Sequence, residues 1–242
     1  MLQSLNILAL NCSFDKLDCD LSAVMFRKII SFIRHNGKLL PFQILNFINF
    51  CLLRLCIDER IQICAWSFMS QLFSNVSVSQ NLLFQTCEFE DNDDYCLFDL
   101  ALSRWTPEDR CFNEISNLMI QSCVSVDCLF DRWSEISDRM HPFALNGDSG
   151  SSVHRMRYLK FLERLTKEIK TRTGSLENNY QISAPINLLN EWWLSLIKVY
   201  LDPCLRDVND GNIRCIACDI LSNLPDCIFK SFPVCNANSI MR

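Results

Sequence analysis

Apolar residues recur at helical spacing along most of this chain, and two stretches repeat one pattern 152 residues apart. They are Asp58-Glu-Arg-Ile61-Gln-Ile-Cys64-Ala65-Trp-Ser-Phe68-Met69-Ser-Gln-Leu72 and Asp210-Gly-Asn-Ile213-Arg-Cys-Ile216-Ala217-Cys-Asp-Ile220-Leu221-Ser-Asn-Leu224. Counted from each Ile, the shared apolar residues fall at offsets 0, 3, 4, 7, 8 and 11, which is one face of an α-helix. In both, an Asp three positions ahead of the Ile can cap the helix, and an Ala at offset 4 lets a neighbouring helix come close. A recurring capped helix implies stacked helical repeats.

The remaining periodicity is also helical. Asp20 can cap a helix with Leu21, Val24, Met25, Ile29, Ile30, Phe32 and Ile33 on its apolar positions, and Gly37 marks its end. A second helix is expected over 40–56, directly before the first motif helix. The pattern weakens over 84–106, where Glu88-Phe-Glu-Asp-Asn-Asp-Asp94 reads as a solvated loop between repeats. Helix resumes at Pro107, which with Glu108 and Asp109 suits a first turn, and runs through Ile115, Leu118, Met119 and Cys123. A short helix follows over 126–137.

Residues 141–152, rich in Gly, Ser and Asp, are the clearest break and read as a loop or linker. Val153, Met156, Leu159, Leu162, Leu165 and Ile169 then form a helical stripe, closed by a polar segment from Thr171 to Ala184. The last helix pair covers 186–205 and 213–229, and Pro203 should bend or end its first member. The organisation is therefore degenerate helical repeats over 1–140, a loop over 141–152, and helical repeats over 153–242 ending in one well-formed pair. The fold class is all-α, an α-solenoid of antiparallel helix pairs. The 152-residue separation equals four periods of 38, near the ~40 of HEAT and armadillo units, although intermediate copies of the motif are not visible.

At Asp210, Ile213, Arg214, Ala217, Leu221 and Leu224 the chain resembles the second helix of a HEAT repeat, whose signature is Asp, then Val-Arg, then Ala and Leu at helical spacing. The earlier copy has Gln62 in place of the Arg, which weakens its Asp and Arg contacts but leaves its packing face intact. The stretch from Ile213 to Pro225, following Glu191-Trp-Trp-Leu194, resembles more narrowly the HEAT repeat-containing protein 6 family, over about residues 186–232. That resemblance implies an armadillo-type α-solenoid without known catalysis, acting as a scaffold. It transfers no catalytic or ligand residues.

Composition agrees with a helical, non-secreted chain. Of 242 residues only five are Gly and seven Pro, so long runs are left uninterrupted. Fifteen cysteines, an odd number spread along a long helical chain, read as reduced and mostly buried thiols. The apolar start has no basic residues and carries Asn6, which speaks against a signal peptide, so the sequons at Asn11 and Asn75 should be silent and the protein intracellular, cytoplasmic or nuclear. The run over 39–57 holds Pro41, Gln43, Asn46, Asn49 and Arg54 and suits a buried solenoid helix better than a membrane span.

Candidate chemistry is sparse. Cys215 and Cys218 form a Cys-x-x-Cys, half of a zinc site that Cys204, Cys227 or Cys235 could complete. The matching positions of the earlier copy are Ile63 and Trp66, so packing is the favoured reading and no metal is assigned. A zinc-stabilised helical domain is the alternative. His35, His141 and His154 have no nucleophile at catalytic spacing, and the glycines form no phosphate-binding loop, so neither catalytic residues nor a cofactor or small-molecule substrate is assigned.

The best partner-facing feature is basic. Arg155, Arg157, Lys160, Arg164, Lys167, Lys170 and Arg172 cluster on one helix of a chain whose net charge is −5. The bland reading is a solvated face laced by the i, i+4 pairs Glu163–Lys167 and Arg164–Glu168. The functional reading assigns Arg155, Arg157, Lys160, Arg164 and Lys167 to an acidic protein partner. Nucleic acid or a membrane surface is a weaker alternative, because aromatic interleaving is limited to Tyr158 and Phe161. The expected function is a non-enzymatic protein-protein interaction scaffold. Too little chain follows the last helix for another pair, so the surface around Cys215, Cys218 and Ile228 should be exposed and open to self-association.

Overall fold

The computed structural model describes residues 24, 31, 59–74, 86–87, 95–122, 126–145, 152–176 and 184–225. Val24 and Ser31 are helical, although Val24, expected on an apolar stripe, is exposed. The rest of the helix after Asp20, the helix over 40–56, the Asp58 cap and Ile228 lie outside the described residues. The chain divides into two compact units, 1–122 and 123–242, ahead of the expected break at 141–152.

The first unit contains α1 (Glu59–Phe73), β1 (Thr86–Cys87), β2 (Tyr95–Cys96), α2 (Leu97–Arg104) and α3 (Phe112–Ser122). The strands are a two-residue antiparallel ladder, Thr86 opposite Cys96 and Cys87 opposite Tyr95. The other described elements are helical. Cys96 caps α2: its thiol donates to Asp99 Oδ2 at 2.8 Å and accepts from the Asp99 amide at 3.4 Å. Both α1 and α2 pack on α3. Trp105 stacks on Phe112 at 5.6 Å between ring centroids, and its indole N–H donates to Ser116 Oγ at 2.8 Å. This satisfies the one polar atom of a ring wholly inside the core.

The helix expected from Pro107 begins only at Phe112. Asp109 accepts a hydrogen bond from the Cys111 amide at 2.7 Å, so its carboxylate closes a turn ahead of the helix instead of sitting in the first helical turn.

The second unit holds α4 (Val126–Leu145), α5 (Ser152–Leu176), α6 (Ala184–Leu196), a π-helical turn (Ile197–Leu201), α7 (Asp202–Leu205) and α8 (Gly211–Ser222). Helix α4 packs on α5 and α6, while α8 packs on α5 and α7. Two helices outrun their sequence signals. Helix α4 continues past Ser137 and through Pro142, held by buried Ile136 and Met140 and by Ser137 Oγ, 2.7 Å from the Tyr200 hydroxyl. Helix α5 runs through Gly174 to Leu176. In each, tertiary contact along the preceding turns outweighs a local preference against helix, worth about 3 kcal/mol for Pro142 and about 1 kcal/mol for Gly174.

Pro203 neither ends nor sharply breaks its helix. The Asp202 amide donates to the Ile197 carbonyl, five residues back, and Pro203 sits in the first turn of the helix that follows. A proline ring collides with the carbonyl four residues earlier in a regular α-helix. The wider turn immediately before it relieves that clash.

The two motif helices, α1 and α8, show where the repeated pattern means the same thing and where it does not. Ala65 and Ala217 are both completely buried, as are Phe68 and Ile220 at offset 7. Asp210 caps α8 as its spacing predicts, accepting from the amides of Asn212 at 2.9 Å and Ile213 at 3.1 Å. At offsets 5, 8 and 11 the copies part: Trp66, Met69 and Leu72 are buried, whereas Cys218 is exposed and Leu221 and Leu224 are half-buried. One arc of α8 is left outside the core.

Candidate interaction surface

Helix α5 carries the basic cluster, and the 100° turn per residue sorts it into two groups. Tyr158, Leu159, Leu162, Leu165, Thr166 and Ile169 are buried, each aliphatic or aromatic side chain contributing about 1.5–3 kcal/mol. Thr166 turns its hydroxyl back to the Leu162 carbonyl at 2.8 Å, which permits its complete burial. On the opposite face Lys160, Arg164 and Lys167 are exposed and Arg157 is half-exposed, at i, i+3, i+7 and i+10 spacing. The strip they form is about 15 Å long at the α-helical rise.

Arg155 does not belong to that strip, contrary to its sequence assignment. It is 9% exposed, with its Nη1 2.9 Å from Asp207 Oδ2 and its Nη2 3.4 Å from Cys204 Sγ. It stands three, four and seven residues before Tyr158, Leu159 and Leu162, so it is on the buried stripe, and burial of its charge is compensated by the carboxylate. Val153, expected on the stripe, is 63% exposed.

Asp207 ties three pieces of chain together. Its second carboxylate oxygen accepts from the Asn209 amide at 3.0 Å, and its carbonyl accepts from Arg214 of α8. The Asn209 amide and then the Arg155 charge hold its carboxyl below the usual aspartate range. At the other end of the helices Lys170 donates to the Ser222 carbonyl at 2.8 Å, where a cation suits the C-terminus of α8. Asn223 donates to the Glu163 carbonyl at 3.2 Å and to Thr166 Oγ1 at 3.1 Å. The early turns of α5 thus meet the start of α8 and its later turns meet the end, so the two helices run in the same direction.

The i, i+4 pairs expected on α5 do not form: among the described residues, Lys160, Arg164 and Lys167 make no ion pair or hydrogen bond through their side chains. Exposed pairs of this kind gain only a few tenths of a kcal/mol, too little to hold two long side chains. Tyr158 and Phe161, the two aromatics between the basic residues, are buried and offer no ring to a stacked base.

The cysteines divide by environment. Cys204 is buried, and desolvation raises its thiol pKa despite the opposing Arg155 charge. Burial and then Asp99 push Cys96 up to about 11. Cys215 and Cys218 are both exposed, as expected for this end of the repeat and contrary to their reading as buried packing thiols, because no described helix covers their arc of α8. Among the described residues no three His, Cys, Asp or Glu side chains gather as a metal site. Between Arg155, Tyr200 and Cys204 lies a cavity of about 10 Å³, the size of one water molecule.

Comparison with protein-family models, curated proteins and solved structures finds no match to this chain. No helix among the described residues is long and apolar enough to cross a membrane.

Proposed function

We propose that the chain is a non-enzymatic interaction scaffold of HEAT-like stacked helix pairs, and that the strip of Arg157, Lys160, Arg164 and Lys167 holds an acidic stretch of a protein partner. The observation that carries this reading is the division of labour on α5: one face is committed to the core, while the other presents four cations, of which Lys160, Arg164 and Lys167 are not neutralised by the described part of the chain. The contacts of the second unit fit stacked pairs. Helix α4 touches α5, its own partner, and α6, the first helix of the following pair, while α5 touches α8, the second. Burial of Tyr158 and Phe161 favours protein over single-stranded nucleic acid, which requires stacking platforms.

The test is titration of a polyglutamate peptide into the chain and into Lys160→Glu/Arg164→Glu/Lys167→Glu, alongside thermal melts. Wild-type binding that is lost in the variant at unchanged melting temperature is expected. Equal binding by both, tighter binding of duplex DNA or anionic vesicles, or collapse of the variant would overturn the proposal.

A further inference from the structure

The exposed arc of α8 carries two thiols side by side. Ile213, Ala217 and Ile220 face the core, and at about 100° per residue Cys215 and Cys218 fall about 60° apart on the opposite side, where both are exposed. Three residues apart on a helix, their Cβ atoms stand about 5–6 Å from each other. A disulfide needs about 3.8 Å between Cβ atoms. Cys215 is the fifth residue of α8, beyond its first turn, where helical hydrogen bonds fix the backbone, so the pair does not close on itself. Two thiolates on one zinc ion stand about 4 Å apart, sulfur to sulfur, because each Zn–S bond is about 2.3 Å and the geometry is tetrahedral. Two Cβ–Sγ bonds turned toward each other cover that difference. The spacing therefore suits a soft cation better than a disulfide.

A closed zinc site takes four ligands, and α8 offers two. Cys204, which lies near enough in sequence to complete the set, is buried with its Sγ 3.4 Å from Arg155 Nη2 and is committed there. Among the described residues no third His, Cys, Asp or Glu gathers with the pair. We propose that the outward arcs of α8 from two copies of this chain meet across a two-fold axis and hold one zinc ion between them, each copy giving Cys215 and Cys218. A two-fold contact sets the same patch on both sides, so it turns two ligands into four with no further residue. Gly211 and Ser222, the exposed neighbours on the arc, are small and leave room for the second helix. Binding exchanges four thiol protons for one Zn²⁺ and leaves a doubly negative cluster, so the association tightens as pH rises. Asp219, exposed beside Cys218 on each copy, attracts the cation but repels its counterpart, so the copies part when zinc is withdrawn. The site uses α8 alone and is independent of the basic strip on α5.

The test is sedimentation velocity of the reduced chain, stripped of metal by a chelator and then titrated with zinc chloride, with bound zinc measured after gel filtration. A metal-free monomer is expected to become a dimer that holds one zinc per two chains and dissociates again in EDTA. Cobalt(II) in place of zinc should give the intense visible and near-ultraviolet bands of tetrahedral thiolate ligation, and zinc should slow alkylation of Cys215 and Cys218. Cys215→Ser and Cys218→Ser should each remain monomeric in zinc at unchanged melting temperature. Cys227→Ser/Cys235→Ser should still form the zinc dimer. One zinc per monomeric chain, lost in Cys227→Ser/Cys235→Ser, would show that a single chain closes the site and would overturn the proposal. So would a chain that binds no zinc, or a dimer that forms equally well in Cys215→Ser/Cys218→Ser.

Discussion

Arg155 of α5 and Asp207, in the turn before α8, form an ion pair at 2.9 Å with side chains 10% and 20% exposed. The pair joins elements 52 residues apart and takes Arg155 out of the basic surface that its neighbours make. Replacing it should therefore read out as stability, not as binding.

Arg155→Ala is expected to lower the melting temperature, through loss of both the ion pair and the packed stem of the side chain. Lys160→Ala should stay within about 0.5 kcal/mol of wild type, as exposed substitutions do. A melt in which the two variants are equivalent contradicts the burial of Arg155. The pH dependence follows from Asp207, whose folded pKa lies below its unfolded value. Its contribution is complete above about pH 4 and is lost as pH falls through the depressed value. Asp207→Asn should accordingly flatten the acid limb of the stability curve, measured by melts across that range.

Thiol labelling should follow exposure. In native protein at pH 8, Cys215 and Cys218 are expected to react with iodoacetamide well before Cys96, Cys111 and Cys204, which are buried. Cys96 is additionally held at about 11, so little of it is thiolate. Peptide mapping by mass spectrometry checks the order; labelling of Cys204 at the rate of Cys218 would show that the α5–α7 contact opens readily.

The two copies of the repeated helix invite a matched series. Asp210→Ala should cost about 1 kcal/mol by removing the cap, while Asp210→Asn keeps an acceptor and costs less. Ala217→Leu should cost about 1–3 kcal/mol through overpacking, since Ala217 has no exposed surface. Cys218→Trp should remain within about 0.5 kcal/mol, although Trp66 is sealed at the corresponding position of α1. Urea denaturation of the four variants measures all of these, and a strongly destabilised Cys218→Trp would mean that this arc of α8 is covered.

Helical character, the cap at Asp210 and the close approach at Ala65 and Ala217 were legible in the chain because each depends on spacing within a single helix. Local rules also placed the exposed strip of Arg157, Lys160, Arg164 and Lys167. Element ends were less legible. Helix α4 passes Pro142 and α5 passes Gly174 because contacts made by Met140, Tyr200 and Ile169 with distant chain decide where a helix stops being held.

The sequence by itself determined which faces are apolar and which residues carry charge, since a 3.6-residue period converts order along the chain into sides of a helix. Only the tertiary structure decided which of two similar positions is covered. Trp66 and Cys218 share one offset in one motif, and their burial differs because it depends on whether another helix lies alongside. The same holds for Arg155: a cation on an apolar stripe is an anomaly until Asp207, far away in sequence, supplies the charge that permits it to be buried there.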